Sequence, residues 1–317
     1  MVVKGILFIF VAGNIKGVRQ EATLIMVEEF LNYLQFELRR SPRTVDDYRT
    51  DLGCFEAFFK GLGDEFGWDT VDSDVIRDWM ESMIDKGNKA ATVCRRLSAV
   101  RSFYRFALAH RLVEYDPAHK IEPPKKSKPL PQFLKEDEIN KLLDGDMWGD
   151  DYKDVRARTI IMTFYETGVR LSELTGLNEE SVDFAESQLK VTGKGNKQRI
   201  IPFGKELSEG LKYYLSVRNK EVNRLDDAFF LTEKGVRMTS QQVRGEVKKH
   251  LSRVCTLKKL SPHVLRHTFA TAMLNHGAGI ESVKRLLGHE SVSTTEIYTH
   301  TTFEQLKRIY NEAHPRA

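Results

Sequence analysis

Six side chains in the C-terminal half of the chain sit in short stretches whose cations and hydroxyls packing alone does not require. They are Arg170 in TGVRLSEL, Lys194 in TGKGNK, His263 and Arg266 in SPHVLRHTFATAML, and His289 and Tyr298 in LLGHESVSTTEIYTH. Singly, each has a plain reading as a capping or surface arginine, a solvated turn lysine, a surface histidine or a tyrosine packed by its ring. Together they describe a chemistry. Two guanidiniums neutralise the nonbridging oxygens of a phosphodiester, a phenol attacks phosphorus, and a lysine delivers a proton to the departing oxygen. That scheme needs no acidic metal ligand, so the set predicts nucleophilic phosphoryl transfer without a metal.

The elements that must position these groups are legible from local pattern. Gly168 is a helix stop, which leaves Arg170 between two helix ends with Ser172 placed to start the next helix. Lys194 falls at the tip of a hairpin, with Gly193-Lys194-Gly195-Asn196 as its turn; the G-x-x-x-x-G-K-[ST] spacing of a Walker loop is absent. Ser261 caps and Pro262 opens a helix whose inward stripe is predicted as Leu265, Phe269, Ala272 and His276, with Met273 beside it. His263 and Arg266 then share a neighbouring face near the helix N-terminus, where amides and dipole favour an anion. Leu286 and Leu287 end a helix at Gly288, and the Ser293/Glu296 spacing starts another that carries Tyr298 in its second turn. Zinc is a poor fit to the histidines: no H-E-x-x-H occurs, the cysteines are remote, and Arg266 would oppose a cation beside His263 and His267.

At 317 residues, with 41% hydrophobic and 30% charged composition, the chain reads as a soluble globular protein of two domains. The opening residues hold only about seven consecutive apolar positions, too few to cross a bilayer, and residues 1–23 stay unassigned. Cys54, Cys94 and Cys255 form no C-x-x-C pair, which fits a reducing cytoplasm. Four helical stripes follow before residue 111, carried by Phe30/Leu31/Leu34 with Ile25 and Leu38 at their ends, Val45/Leu52/Phe55/Phe59, Val75/Trp79/Met83 and Val93/Leu97/Val100/Tyr104/Leu108. The fourth also carries Arg95, Arg96, Arg101 and Arg105 with no carboxylate between Thr92 and Leu108, a solvated face or a face that grips a phosphate backbone. EPPKKSKPLP, with four prolines and three lysines, breaks the pattern as a linker. Residues 1–122 hold 17 Lys/Arg against 19 Asp/Glu and the remainder 32 against 26, so the positive excess lies in the C-terminal part. There, two short runs flanking the Gly193–Asn196 turn are the only strand pattern, with helical patterns from Lys205 to Val222 and onward to the end. The fold class is therefore mainly α: an N-terminal helical bundle (24–121), a linker (122–131) and a C-terminal mixed α/β domain with a small antiparallel sheet (132–317).

In that order, TGVRLSEL, VTGKGNKQRIIP, SPHVLRHTFATAMLNHGAGIESVKRLLGH and STTEIYTH resemble the catalytic domain of the tyrosine recombinases, most closely the chromosome-dimer-resolving Xer branch. The resemblance covers essentially all of residues 132–312, and the bundle at 24–115 looks like that family's core-binding domain. By position it implies Arg170, Lys194, His263, Arg266 and His289 as the catalytic set and Tyr298 as the nucleophile, none of them substituted. It further implies two domains that clamp duplex DNA at a specific recombination site, and a 3′-phosphotyrosyl link with release of a 5′-hydroxyl. A homotetramer on two duplexes is implied, its terminal helix donated to a neighbour, with a homologous recombinase as an alternative partner; the apolar stripe of that helix, Phe303, Leu306, Ile309 and Tyr310, equally suits a groove on its own domain in the free protein. No cofactor and no membrane are implied, and the place of action would be the cytoplasm, at the nucleoid. Rival readings are a mobile-element integrase of the same chemistry, a type IB topoisomerase and a non-catalytic helical DNA-binding protein; a covalent DNA adduct excludes the last.

Overall fold

The computed structural model describes residues 25–63, 66–125, 132–144, 146–193, 196–288 and 300–317, and the expectations for residues 1–23, Lys194, His289 and Tyr298 lie outside them. The chain divides into two compact units, Met1–Pro129 and Leu130–Ala317.

In the first unit, residues 25–32 are helical (α1) and run into a π-helical turn at Tyr33–Glu37. Helix α2 (Pro42–Lys60) starts where Ser41 Oγ accepts the Thr44 amide at 3.2 Å and Pro42 takes the first helical position. Helix α3 (Ser73–Asp85) starts at Asp72, whose Oδ1 accepts from the amides of Asp74 at 2.9 Å and Val75 at 3.0 Å. Helix α4 (Ala90–Ala109) completes the bundle. Its core is aromatic: Phe30, Phe55, Phe59, Trp68, Phe103 and Tyr104 are all buried, with Trp68 and Phe103 centroids 4.3 Å apart. Ile25, Leu38 and Leu108, expected on the inward stripes, are exposed, since they occupy terminal turns beyond that cluster.

The second unit is built around α6 (Tyr152–Thr167), which is buried on nearly every side. Its polar residues survive burial by local bonding. The hydroxyls of Thr159, Thr163 and Thr167 donate to the carbonyls of Val155, Thr159 and Thr163 at 2.8, 2.7 and 2.5 Å. Around it lie α5 (Glu136–Asp144), the short α7 (Leu171–Thr175), α8 (Lys205–Glu221), α9 (Ser240–Leu251), α10 (Pro262–Asn275), α11 (Ile280–Leu287) and α12 (His300–Ala313). Strands β1 (Val182–Asp183), β2 (Gln188–Thr192) and β3 (Gln198–Pro202) form an antiparallel sheet in that order. Leu189 pairs with Ile201 and Val191 with Arg199, and all four side chains are buried.

Two local expectations change. Residues 222–239 between α8 and α9 are not helical and are held by isolated bridges, Asn178 with Ala228 and Leu231 with Arg237. Gly235, at φ +76°, allows this chain to pack so closely on itself that a Cβ there would lie 1.8 Å from the Asn223 carbonyl oxygen. Second, Ser261 is the N-cap of α10 but makes no side-chain capping bond, and His276, expected on the inward stripe, is exposed at the C-cap. The inward line is Leu265, Phe269 and Met273, because the helix turn carries position 273, not 276, beneath the core.

Helix α12 docks on its own unit. Leu306, Tyr310 and Ala313 are buried in one cluster with Phe269, Met273, Val283, Leu286 and Leu287, and Phe303 is buried as well. Arg316 beyond it donates to Asp144 Oδ1 at 2.9 Å and Asn140 Oδ1 at 3.0 Å and pairs with Glu206. Among the described residues no helix is long and apolar enough to cross a membrane.

Candidate active site

Gly168 ends α6 at φ +60°, where a Cβ would meet the Phe269 ring at 2.6 Å, so the chain turns tightly and delivers Arg170 to the start of α7. Arg170, not Ser172, is the N-cap of α7. The reason is Glu173: its Oε2 accepts the Arg170 amide at 2.7 Å while its Oε1 accepts Arg170 Nη1 at 2.8 Å. Arg170 Nη2 donates to the Gly288 carbonyl at 2.7 Å, and the side chain keeps about a third of its surface exposed, 34%.

Arg266 reaches the same place from α10. Its Nη1 donates to the Gly168 carbonyl and its Nη2 to the Leu287 carbonyl, both at 2.6 Å. Burial, then the charges of Arg170 and Arg199, lower its pKa to about 10, only partly offset by Glu173. It remains a full cation at neutral pH. Among the described residues it has no ion-paired carboxylate, and its direct hydrogen bonds go to backbone carbonyls, so this buried positive charge is a site that an arriving anion would stabilise.

His263, one turn before Arg266, is exposed to solvent. Partial desolvation and the charges of His267, Arg266, Arg244 and Arg170 hold its imidazole below the ordinary histidine value. The structure thus brings Arg170, Arg266 and His263 to one positively charged surface beside the end of α11. Lys194, His289 and Tyr298 lie outside the described residues; the hairpin arms leading to Lys194 are in place, with the Gly193 amide donating to the Lys197 carbonyl at 2.8 Å.

Two participants escape a reading of cation motifs. Glu173 is buried, and Arg199, 6% exposed, grips it with both arms, Nη1 to Oε1 at 2.5 Å and Nη2 to Oε2 at 2.8 Å. Burial alone would raise the Glu173 pKa, but the bonds from Arg199 and Arg170 prevail and hold it below the usual glutamate value. The available signal was strand alternation: Arg199 shares the inward face of β3 with Ile201, and a charge at an inward strand position needs a buried partner.

In the first unit, the arginines of α4 are less free than their own helix suggests. Asp51 of α2, 2% exposed, pairs with Arg95 and lies 3.7 Å from Arg96 Nε. Arg101 Nε donates to the Ala118 carbonyl at 3.1 Å and its Nη2 to the Ile121 carbonyl. Arg105 is exposed and has no ion pair among the described residues.

Residues 132–305 match the phage integrase family, and residues 27–111 match the N-terminal SAM-like domain of phage integrases. The tyrosine recombinase XerC of Chlorobaculum tepidum is 38% identical, with 91% of this chain and 94% of that one aligned. The tyrosine recombinase XerD of Oceanobacillus iheyensis is 34% identical across 92% of this chain and 98% of its own. Among solved structures, the XerH site-specific recombinase in a pre-cleavage complex with difH substrate shares the fold, with a TM-score of 0.69 and 21% identity over 92% of this chain and 95% of that one. A lambda integrase dimer on a COC′ core site gives a TM-score of 0.67 at 17% identity, over 90% and 94%.

Proposed function

The chain belongs to the phage integrase family, the tyrosine recombinases, and from that premise we propose that Tyr298 is its nucleophile and that Arg170 and Arg266 hold the scissile phosphate. The enzyme is a site-specific recombinase that cleaves and rejoins DNA strands. The observation that supports the assignment best is Arg266: a buried guanidinium with no ion-paired carboxylate among the described residues, beside Arg170, on a surface where partial desolvation and surrounding positive charge hold the His263 imidazole below the ordinary histidine value.

In the proposed reaction Tyr298 Oη attacks phosphorus while Arg170 and Arg266 offset the charge that develops on the nonbridging oxygens. The bond from phosphorus to the 5′ oxygen breaks, Lys194 gives that oxygen a proton, and a 3′-phosphotyrosyl link remains. A 5′-hydroxyl of the partner strand then attacks the link and releases the tyrosine. The link conserves the energy of the phosphodiester, so rejoining needs no ATP. His263 and His289 assist proton transfer and charge stabilisation.

The substrate we propose is a pair of duplex recombination sites whose joining resolves chromosome dimers before chromosome partition and cell division, in the cytoplasm at the nucleoid. A mobile-element integration site is the alternative substrate. Four strand cleavages call for a tetramer, of this chain alone or with a homologous recombinase, in which α12 leaves its own unit for the matching groove of a neighbour. Monomers only during productive exchange would overturn the tetramer. The exposed arginines of α4 are candidate contacts to the DNA backbone.

The deciding experiment uses a nicked suicide duplex. Tyr298→Phe should bind it as the unaltered protein does and trap none of it covalently; an undiminished adduct would remove Tyr298 from the role. Replacing the departing 5′ oxygen by sulfur, which needs less protonation, should restore cleavage by Lys194→Ala selectively, and equal defects on both substrates would dismiss the general acid.

A further inference from the structure

The last carbonyls of a helix have no partner inside it and must find donors elsewhere. At the end of α11 each of three consecutive carbonyls is taken by a different arginine from a different element. Leu286 accepts from Arg199 Nε at 3.1 Å, Leu287 from Arg266 Nη2 at 2.6 Å, and Gly288 from Arg170 Nη2 at 2.7 Å. Arg170 and Arg266 are the phosphate-holding pair of the proposed function. Arg199 is committed elsewhere: its Nε donates to Leu286, and its Nη1 and Nη2 fork onto the two oxygens of Glu173.

Its position explains why it is there. Glu173 binds the backbone amide and Nη1 of Arg170, so the direction of Arg170 depends on where Glu173 is held, and Arg199 holds it with a two-armed fork. Arg199 belongs to β3, the return arm of the hairpin that carries Lys194, and it also lies against Gly288, where a Cβ would come within 3.1 Å of its Cδ and Nε. Gly288 itself is at φ +65° and immediately precedes His289 in the chain. One buried guanidinium thus joins the hairpin, the N-cap of α7 and the C-terminal end of α11.

We propose that Arg199 is a positioning residue for strand cleavage: by bridging the Glu173 carboxylate and the Leu286 carbonyl, it fixes Arg170 relative to Arg266 and to the end of α11. The inference rests on Arg170 and Arg266 being the phosphate-binding pair. A lysine cannot take its place, because one ammonium cannot span both carboxylate oxygens and a carbonyl on the far side.

The test compares Arg199→Lys with the unaltered protein in single-turnover cleavage of the nicked suicide duplex at saturating protein. Two scissile groups are used, a phosphodiester and a methylphosphonate in which a methyl group replaces one nonbridging oxygen and removes the charge that Arg170 would offset. Arg199→Lys should bind the duplex within about threefold of the unaltered protein and cleave the phosphodiester about a hundredfold more slowly, the cost typical of displacing a catalytic contact by an ångström. On methylphosphonate most of that difference should vanish. Equal slowing on both substrates would make Arg199 a general structural residue, and undiminished cleavage would make it dispensable; either result overturns the proposal. Should Arg199→Lys fail to fold, the charge-balanced pair Glu173→Gln with Arg199→Met replaces it under the same expectations and the same overturning results. An unaltered protein that forms no Tyr298 adduct would defeat the proposed function and this inference with it, whereas a normal adduct rate in the Arg199 variants defeats this inference alone.

Discussion

His263 is where the electrostatics of the site can be read in solution. Partial desolvation and the cations His267, Arg266, Arg244 and Arg170 lower its pKa in the free protein, so the folded chain binds a proton less readily than the unfolded chain near pH 6.5. Stability at this group is therefore lost as pH falls through the ordinary histidine value. A phosphate seated between Arg170 and Arg266 reverses the local charge and raises the same pKa. DNA binding should then take up protons, and affinity should rise from pH 7 to pH 6. Calorimetry in buffers of different ionisation enthalpy measures the uptake, and His263→Gln should remove it. Identical uptake in that variant would place the proton elsewhere.

Helix α12 shows the same physics at the scale of an element. Glu166 lies fully buried beneath it, against Tyr310. Burial and the charge of Glu206 push its pKa well above the ordinary range, and Arg316 with the amides of Leu207 and Gly204 offsets this only in part. A raised carboxyl contributes stability that is full below the unfolded value and is lost as pH rises through the folded one. Glu166→Gln keeps the shape and removes that loss, so its melting temperature at pH 7 should exceed that of the unaltered protein by a few degrees. Scanning calorimetry that found it lower at every pH would show that the carboxyl is needed. His314 sets the acid limit with the opposite sign. Burial lowers it to about 3, so protonation below pH 6.5 should cost about 2 kcal/mol at pH 5 relative to pH 7. Because α12 covers Phe269, Met273 and Leu286, its removal would also uncover core, and an exchange of this helix between copies needs a matching groove to receive it.

For the molecule as a whole, the question is how a net charge of only +4 addresses a polyanion. The arginines of α4 divide by exposure, although Arg95 also pairs with the buried Asp51. Arg101 ties down the carbonyls of Ala118 and Ile121, whereas Arg95, with 52% of its side chain exposed, and Arg105 face solvent. Arg95→Gln with Arg105→Gln should weaken target and random duplexes alike and reduce the salt slope by about 1 to 2, whereas Arg101→Gln should chiefly lower the melting temperature. An unchanged slope in the double variant would leave those two arginines as solvated surface.

The two-unit, mainly helical plan, the small antiparallel hairpin and the order of the cationic stretches were all decided by the sequence itself. Helix periodicity, the Gly168 and Gly288 stops and the Pro42 and Pro262 starts act within a few residues and leave a visible pattern. What sequence reading missed depends on partners far apart in the chain. Asp51 lies 44 residues from Arg95, and its charge cannot be assigned to α4 until the helices pack. Glu173 and Arg199 are 26 residues apart, and Arg199 meets Leu286 across 87, so the junction that orients Arg170 exists only in the folded chain. The docking of α12 was undecidable for a related reason: an apolar stripe states that a groove is needed, and only tertiary packing supplies one in the same unit.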